Sequence, residues 1–189
     1  GYVLPGAINK AINFEIFKVK KVYCEVKSAK INKSLIFEIN NIKKSETHWQ
    51  NYILGTIDYF LSKKNKITPF KCSIKSNLPI GSGISSSTAL ISGFAKAIIE
   101  LFELKYSKSD IIKIVSYVER NFIGLKGGIM DQFTINYGLK DNLILLNCYN
   151  LSYNYIEFKS KSFCILLLNT NVKHSLINSA YNDRVNECL

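Results

Sequence analysis

Long apolar runs are missing from this chain: none reaches the ~18 residues that suggest a membrane span. A basic-then-apolar start of the secretory kind is absent as well, so a cytoplasmic placement is expected, with no membrane partner. Arginine is nearly missing. The net charge is +11, yet only Arg120 and Arg184 are arginines. Nucleic-acid binders cluster their charge and use arginine forks on phosphates and guanine edges. Here the lysines are scattered, the densest groups being Lys18/Lys20/Lys21 and Lys63/Lys64/Lys66. They read as solvated surface, and no nucleic-acid partner is expected. Paired cysteines are absent too. Cys24, Cys72, Cys148, Cys164 and Cys188 lie far apart with no CxxC among them, which points to buried free thiols in a reducing compartment. Two phosphate signatures are also lacking: there is no GK[ST] of a Walker loop and no G-x-G-x-x-G of a dinucleotide fold.

What is present is a soluble globular composition, 47% hydrophobic and 21% charged over 189 residues, enough for one domain or one domain with part of another. Residues 13–19, 22–28 and 34–40 alternate apolar and polar and predict three strands of an antiparallel sheet. Helical spacing over 47–64 puts Trp49, Tyr52, Ile53, Ile57, Phe60 and Leu61 on one broad face. A strand at 69–76 leads into a glycine-serine loop and a helix over about 85–102. Ser107 and Asp110 form an S-x-x-D start for a helix ending near Ile123. A turn and short helix follow at 126–133, then strands at 142–148, 153–158 and 163–169 and a helix from about Ser175. Strands first and helices later predict an α+β arrangement rather than a doubly wound parallel sheet.

The stretch "PIGSGISSSTAL" (79–90) carries the chemistry. A helix start leaves backbone N–H groups unpaired and carries a partial positive charge. Gly81 and Gly83 let the backbone approach a polyphosphate without Cβ obstruction. Ser85, Ser86 and Ser87 then offer hydroxyls to phosphate oxygens or Mg²⁺. On its own the stretch reads equally as an anion cradle or as an N-capped loop.

It resembles the P-x-G-x-G-L-x-S-S-A motif of the GHMP small-molecule kinases, with Ile84 for the usual leucine and Thr88 for the usual alanine. Four further stretches resemble the galactokinase branch in the same order: "GYVLPGAIN" (1–9), "HWQNYILGTIDY" (48–59), "ERNFIGLKGGIMDQF" (119–133) and "NTNVKHSLINSAYNDRVNEC" (169–188). Arg120 stands where histidine is common, Gly127 where cysteine is, and Ala180 where glutamate often is. The resemblance implies a GHMP-kinase N-terminal domain of the ribosomal protein S5 domain 2-like fold over 1–152. The start of a ferredoxin-like C-terminal domain over 153–189 would follow. The branch's upstream sugar-binding stretch and its C-terminal glycine-rich motif are not in the sequence. The chain is therefore expected to be an internal piece, without activity by itself.

By the same resemblance the activity is ATP-dependent phosphorylation of D-galactose at its C1 hydroxyl by a monomer. The alternatives are a kinase for a related sugar such as N-acetylgalactosamine, and a non-catalytic sensor. The implied roles are specific. The backbone of Gly81, Ser82, Gly83, Ile84, Ser85, Ser86 and Ser87 wraps the ATP phosphates, and Trp49 and Tyr52 line the adenine pocket. Ser87 and Glu119 hold Mg²⁺. Asp131 is the catalytic carboxylate beside the acceptor hydroxyl, and Gly128 and Tyr181 contact the sugar. Without that context Asp131 reads as a cap, Glu119 as a solvated helix residue, and Trp49, Tyr52 and Tyr181 as packing. His174 takes a structural role and His48 none.

Overall fold

Period-2 alternation sets which side of each strand is buried, and the first sheet is built on it. The computed structural model describes residues 1–79, 83–159, 166, 168 and 187. Strands β1 (Tyr2–Val3), β2 (Ile12–Lys18), β3 (Cys24–Ser28) and β4 (Lys33–Phe37) precede helix α1 (His48–Ser62). Strand β5 (Phe70–Ser76) follows, then α2 (Ser86–Leu101) and α3 (Lys108–Val118). A π-helical turn (Glu119–Ile123), α4 (Met130–Tyr137), β6 (Asn142–Asn147) and β7 (Tyr153–Glu157) complete the described elements. Apart from residues 166, 168 and 187, the strand expected at 163–169 and the helix expected from Ser175 lie outside the described residues. Among the described residues no helix is long and apolar enough to cross a membrane.

The three early strands share one sheet as expected, and β3 pairs antiparallel with β4, but β5 separates β2 from β3. The sheet order is β2-β5-β3-β4, with β5 antiparallel to β2 and parallel to β3. Alternation fixes the buried face of a strand but carries no information about its neighbours, and that is why the order was not legible. Phe70, Cys72 and Ile74 of β5 are all buried, as suits a strand with a partner on each side. Cys24 and Val26 of β3 and Leu35 and Phe37 of β4 continue the same inner face. Burial pushes the Cys24 and Cys72 thiols up, to about 11 and about 12, so both are inert apolar filling.

Helices α1, α2 and α3 share one core with that face, α3 packing on α1 and α2. Ile53, Ile57 and Phe60 of α1, Ile91, Phe94 and Ile98 of α2, and Ile114, Val115 and Val118 of α3 are fully buried in it. The expected S-x-x-D start of α3 is a capping box: the Asp110 N–H donates to Ser107 Oγ at 3.2 Å and the Ser107 N–H to Asp110 Oδ2 at 3.0 Å.

A second sheet, of order β1-β6-β7, packs Ile144 and Leu146 with Ile112 and Phe133 into a smaller core. The proposed division of the chain after residue 152 falls between its paired strands β6 and β7. The Phe133 ring meets Tyr153 of β7 edge-on at 5.0 Å, and Asn136 Nδ2 donates to Ser92 Oγ at 3.3 Å, so α4 is pinned between this core and α2.

Candidate active site

Three stretches far apart in sequence meet in one cleft of about 520 Å³. The first is the start of α2. Gly83 has φ +72° and Ser85 φ +59°, so two left-handed residues turn the chain abruptly into the helix. For a serine that backbone is costly, and such strain is held by its surroundings, commonly at ligand sites. The Ser85 side chain makes no cap bond and no acid sits in the first turn. Among the described residues the opening amides of α2 are thus left to a ligand or to water. Gly83, Ser85, Ser86, Ser87 and Thr88 line the cleft, whereas Ile84 does not. Gly81 and Ser82 lie outside the described residues.

The second stretch is the π-helical turn that prolongs α3. Widening of this kind is frequent at functional sites because it re-aims side chains. Here Glu119 becomes only 5% exposed. Thr88 Oγ1 donates to Glu119 Oε1 at 3.3 Å and Gln132 Nε2 to Oε2 at 2.8 Å. Burial outweighs those two bonds, and the nearby Asp131 adds to it, pushing the carboxyl up to about 7. The turn closes at Gly124, φ +80°, and the Leu125 N–H donates to the Glu119 carbonyl at 2.9 Å.

The third stretch is the first turn of α4 with the residues before it. Asp131 and Gln132 line the cleft there, with Gly127 and Gly128 beside them. Gln132 is 1% exposed, and its Oε1 has no partner among the described residues.

The flank comes from the start of α1, where His48, Trp49 and Tyr52 line the wall. The His48 and Tyr52 rings are 5.4 Å apart. Burial first and the Glu119 carboxylate second raise the Tyr52 phenol, against a hydrogen bond with Ser87. Buried Trp49 Nε1 is likewise unpartnered. A buried indole N–H and a buried amide oxygen in one cleft, without partners among the described residues, are what a polar ligand or ordered water satisfies. Opposite, the β3–β4 hairpin contributes Lys30, whose Nζ donates to the Leu78 carbonyl just before the glycine-serine loop.

Asp131, Glu119, Ser85, Ser86, Ser87, Gly83, Gly128, Trp49 and Tyr52 are therefore brought together, while Tyr181 lies outside the described residues. Sequence reasoning passed over His48, Lys30, Thr88, Gln132 and Gly127. The signal for two of them was available: Thr88 and Gly127 are departures from the usual GHMP and galactokinase residues. His48 and Lys30 carry no local mark.

Among the described residues no three His, Cys, Asp or Glu side chains gather in the manner of a protein-only metal cage. One buried carboxylate, a serine hydroxyl and a second carboxylate match instead the sparse oxygen set with which Mg²⁺ is held alongside phosphates.

Comparison with known proteins agrees with this geometry. Residues 51–139 match the GHMP kinases N terminal domain. The chain is 39% identical over 188 residues to a galactokinase of Thermotoga maritima, covering all of this chain and 52% of that protein. It is 40% identical over 141 residues to a galactokinase of Limosilactobacillus fermentum, covering 74% of this chain and 36% of that one. It superposes on the Lactococcus lactis galactokinase complexed with galactose at a TM-score of 0.84, with 27% identity over 99% of this chain and 49% of that chain. With a Methanococcus jannaschii mevalonate kinase the TM-score is 0.62 at 27% identity, covering 78% and 48%. The chain spans about half the length of the galactokinases that it matches in full. Residues 51–139 thus carry a GHMP kinases N terminal domain, within a chain similar to galactokinases along its whole length.

Proposed function

We propose that the whole protein of which these residues are part transfers the γ-phosphoryl group of ATP to the C1 hydroxyl of D-galactose. The observation that carries this reading is the convergence of the α2 start, Glu119 and Asp131 on one cleft flanked by Trp49 and Tyr52. The galactokinase likeness over the full chain supports the choice of sugar.

Phosphoryl transfer asks little covalent chemistry of a protein and much positioning. In this reading the backbone of 81–87 wraps the triphosphate at the positive end of α2, and Trp49 and Tyr52 flank the adenine. Ser87 and Glu119 hold Mg²⁺, which neutralises charge on the β- and γ-phosphates when bound. The buried, poorly solvated Glu119 carboxylate fits that role, because a cation beside it relieves the cost of its charge. Gly128 and Tyr181 contact the sugar. Asp131 holds the C1 hydroxyl in line and takes up its proton late, as suits a loose transition state.

The test is to assay the full-length protein for galactose 1-phosphate with ATP and Mg²⁺, with N-acetylgalactosamine and glucose in parallel. Turnover with galactose is expected. No phosphorylation of any sugar, with the fold intact, overturns the reading.

A further inference from the structure

Two departures from the usual GHMP and galactokinase residues, Thr88 and Gly127, meet at the same carboxylate. Thr88 is 3% exposed in the first turn of α2, and its hydroxyl donates to Glu119 Oε1 at 3.3 Å. Gly127 lies on the other side. A Cβ built there falls 2.6 Å from Glu119 Oε2 and 3.8 Å from Gln132 Nε2. Carbon and oxygen do not approach that closely, so any side chain at 127 drives the carboxylate from its present seat. What yields is the far end of a flexible side chain and not backbone, and Gly127 has no left-handed φ. The local fold is therefore spared while the carboxylate moves. One substitution supplies a hydroxyl on one side of the carboxylate, and the other opens space on the opposite side. The Gln132 amide closes the arrangement at 2.8 Å.

We propose that Thr88 and Gly127 act jointly as positioning residues that set where the Glu119 carboxylate sits, and so how tightly the cleft holds a nucleotide-bound divalent cation. The inference rests on the reading of Glu119 as a metal-holding group. Neither residue touches the reacting atoms; both act through Glu119.

The experiment measures Mn²⁺ binding in the presence of ATP by electron paramagnetic resonance, in the full-length protein, without relying on turnover. Thr88→Ala is expected to weaken Mn²⁺ by about threefold to tenfold, and Thr88→Ser, which keeps the hydroxyl, by less than about twofold. Gly127→Ala is expected to weaken it by about tenfold or more, the range for disturbed outer-shell partners. The double variant Thr88→Ala/Gly127→Ala should bind about as Gly127→Ala does, because a displaced carboxylate no longer reaches the hydroxyl. ATP affinity without metal should stay near wild type. The proposal is overturned if both single variants bind Mn²⁺ as wild type does, if Thr88→Ser loses as much as Thr88→Ala, if the two losses multiply, or if the wild-type protein takes up no Mn²⁺ with ATP. Should Gly127→Ala not fold, the alanine–serine pair at 88 decides. A protein that phosphorylates no sugar yet shows the expected Mn²⁺ series refutes the galactose reading and leaves the positioning role standing.

Discussion

Glu119 and Glu25 are the same side chain in two regions that treat it oppositely. Glu119 sits in the cleft wall, nearly sealed from water, with an alcohol and an amide as its donors. Glu25 stands on the outer face of the first sheet between Lys71 Nζ at 2.9 Å and Lys27 Nζ at 3.0 Å. Burial drives the first carboxyl up to about 7, and the Lys71 and then Lys27 ammonium groups pull the second down to about 2. On the sheet face Glu25 is matched with cations of the chain itself. In the cleft, neutral donors hold the buried carboxylate, and its charge is left poorly balanced. That imbalance costs stability and marks the cleft as the place where an outside cation has something to gain.

The contrast breaks most completely through Asp131, the carboxylate that shares the cleft with Glu119. In the full-length protein Asp131→Asn is expected to lower kcat by about 10²–10⁴, the range for a lost proton acceptor in a positioned site. ATP affinity should stay close to wild type, since the change lies at the acceptor side. Turnover and equilibrium ATP binding, measured side by side, separate the two. A kcat near wild type removes Asp131 from the mechanism.

Glu119→Gln comes next and has two expected signatures. Mg²⁺ activation should weaken and be partly regained at higher metal, and Ser87→Ala should do the same more mildly. Without metal the sign reverses. A carboxyl whose folded pKa of about 7 exceeds its usual 4.5 stabilises the fold relative to its charged form below pH 4.5. That contribution is lost as pH rises through 7. The upward shift corresponds to about 3 kcal/mol. Above pH 8 the metal-free glutamine variant should therefore be the more stable protein, and below pH 4.5 the two should converge. Denaturant melts across that range check it.

Gly55→Ala tests the support of the π-helical turn rather than its charge. An added methyl would stand 2.8 Å from Phe122 Cγ and 3.0 Å from Val118 Cγ1. Phe122 belongs to the same turn as Glu119, so α1 can seat that turn only where residue 55 has no side chain. Overpacking of this kind costs about 1–3 kcal/mol. The loss should be accompanied by weaker Mg²⁺ activation, because the turn that carries Glu119 shifts with Phe122. A destabilised variant with unchanged metal dependence would show that the glycine serves packing alone.

These two regions were not equally legible in the sequence. The outer sheet face follows from alternation, since Glu15, Lys27, Lys71 and Lys75 fall where the period-2 pattern places solvent. The helices were readable from 3.6-residue spacing and from the Ser107–Asp110 cap. The cleft was readable only in part. The glycine-serine loop announced itself, and the family resemblance pointed to Glu119 and Asp131. The π-helical turn has no periodic signature, because it adds one residue to a regular helix. The burial of Glu119 depends on Thr88, Gly127 and Gln132 from three other places in the chain. The insertion of β5 between β2 and β3 was also hidden, since strand order is a non-local choice among chemically similar edges.

Glu25→Gln should give the smallest effect and the opposite curve. Glu25 has a folded pKa of about 2, below the usual 4.5, so its contribution is present above pH 4.5 and is lost as pH falls through 2. The difference in melting temperature between wild type and Glu25→Gln should thus favour wild type from pH 5 to 8 and vanish near pH 2. Its size should be small, because both lysine ends of the pairs reach water, where Coulomb attraction gains little and two long side chains must be ordered. Added salt should shrink it further, while leaving the Glu119→Gln difference largely intact, because a buried group is screened far less. The two glutamine variants therefore have pH curves of opposite slope and unequal salt sensitivity in one protein. If both curves slope the same way, the environments of the two carboxylates do not differ as the cleft and the sheet face require.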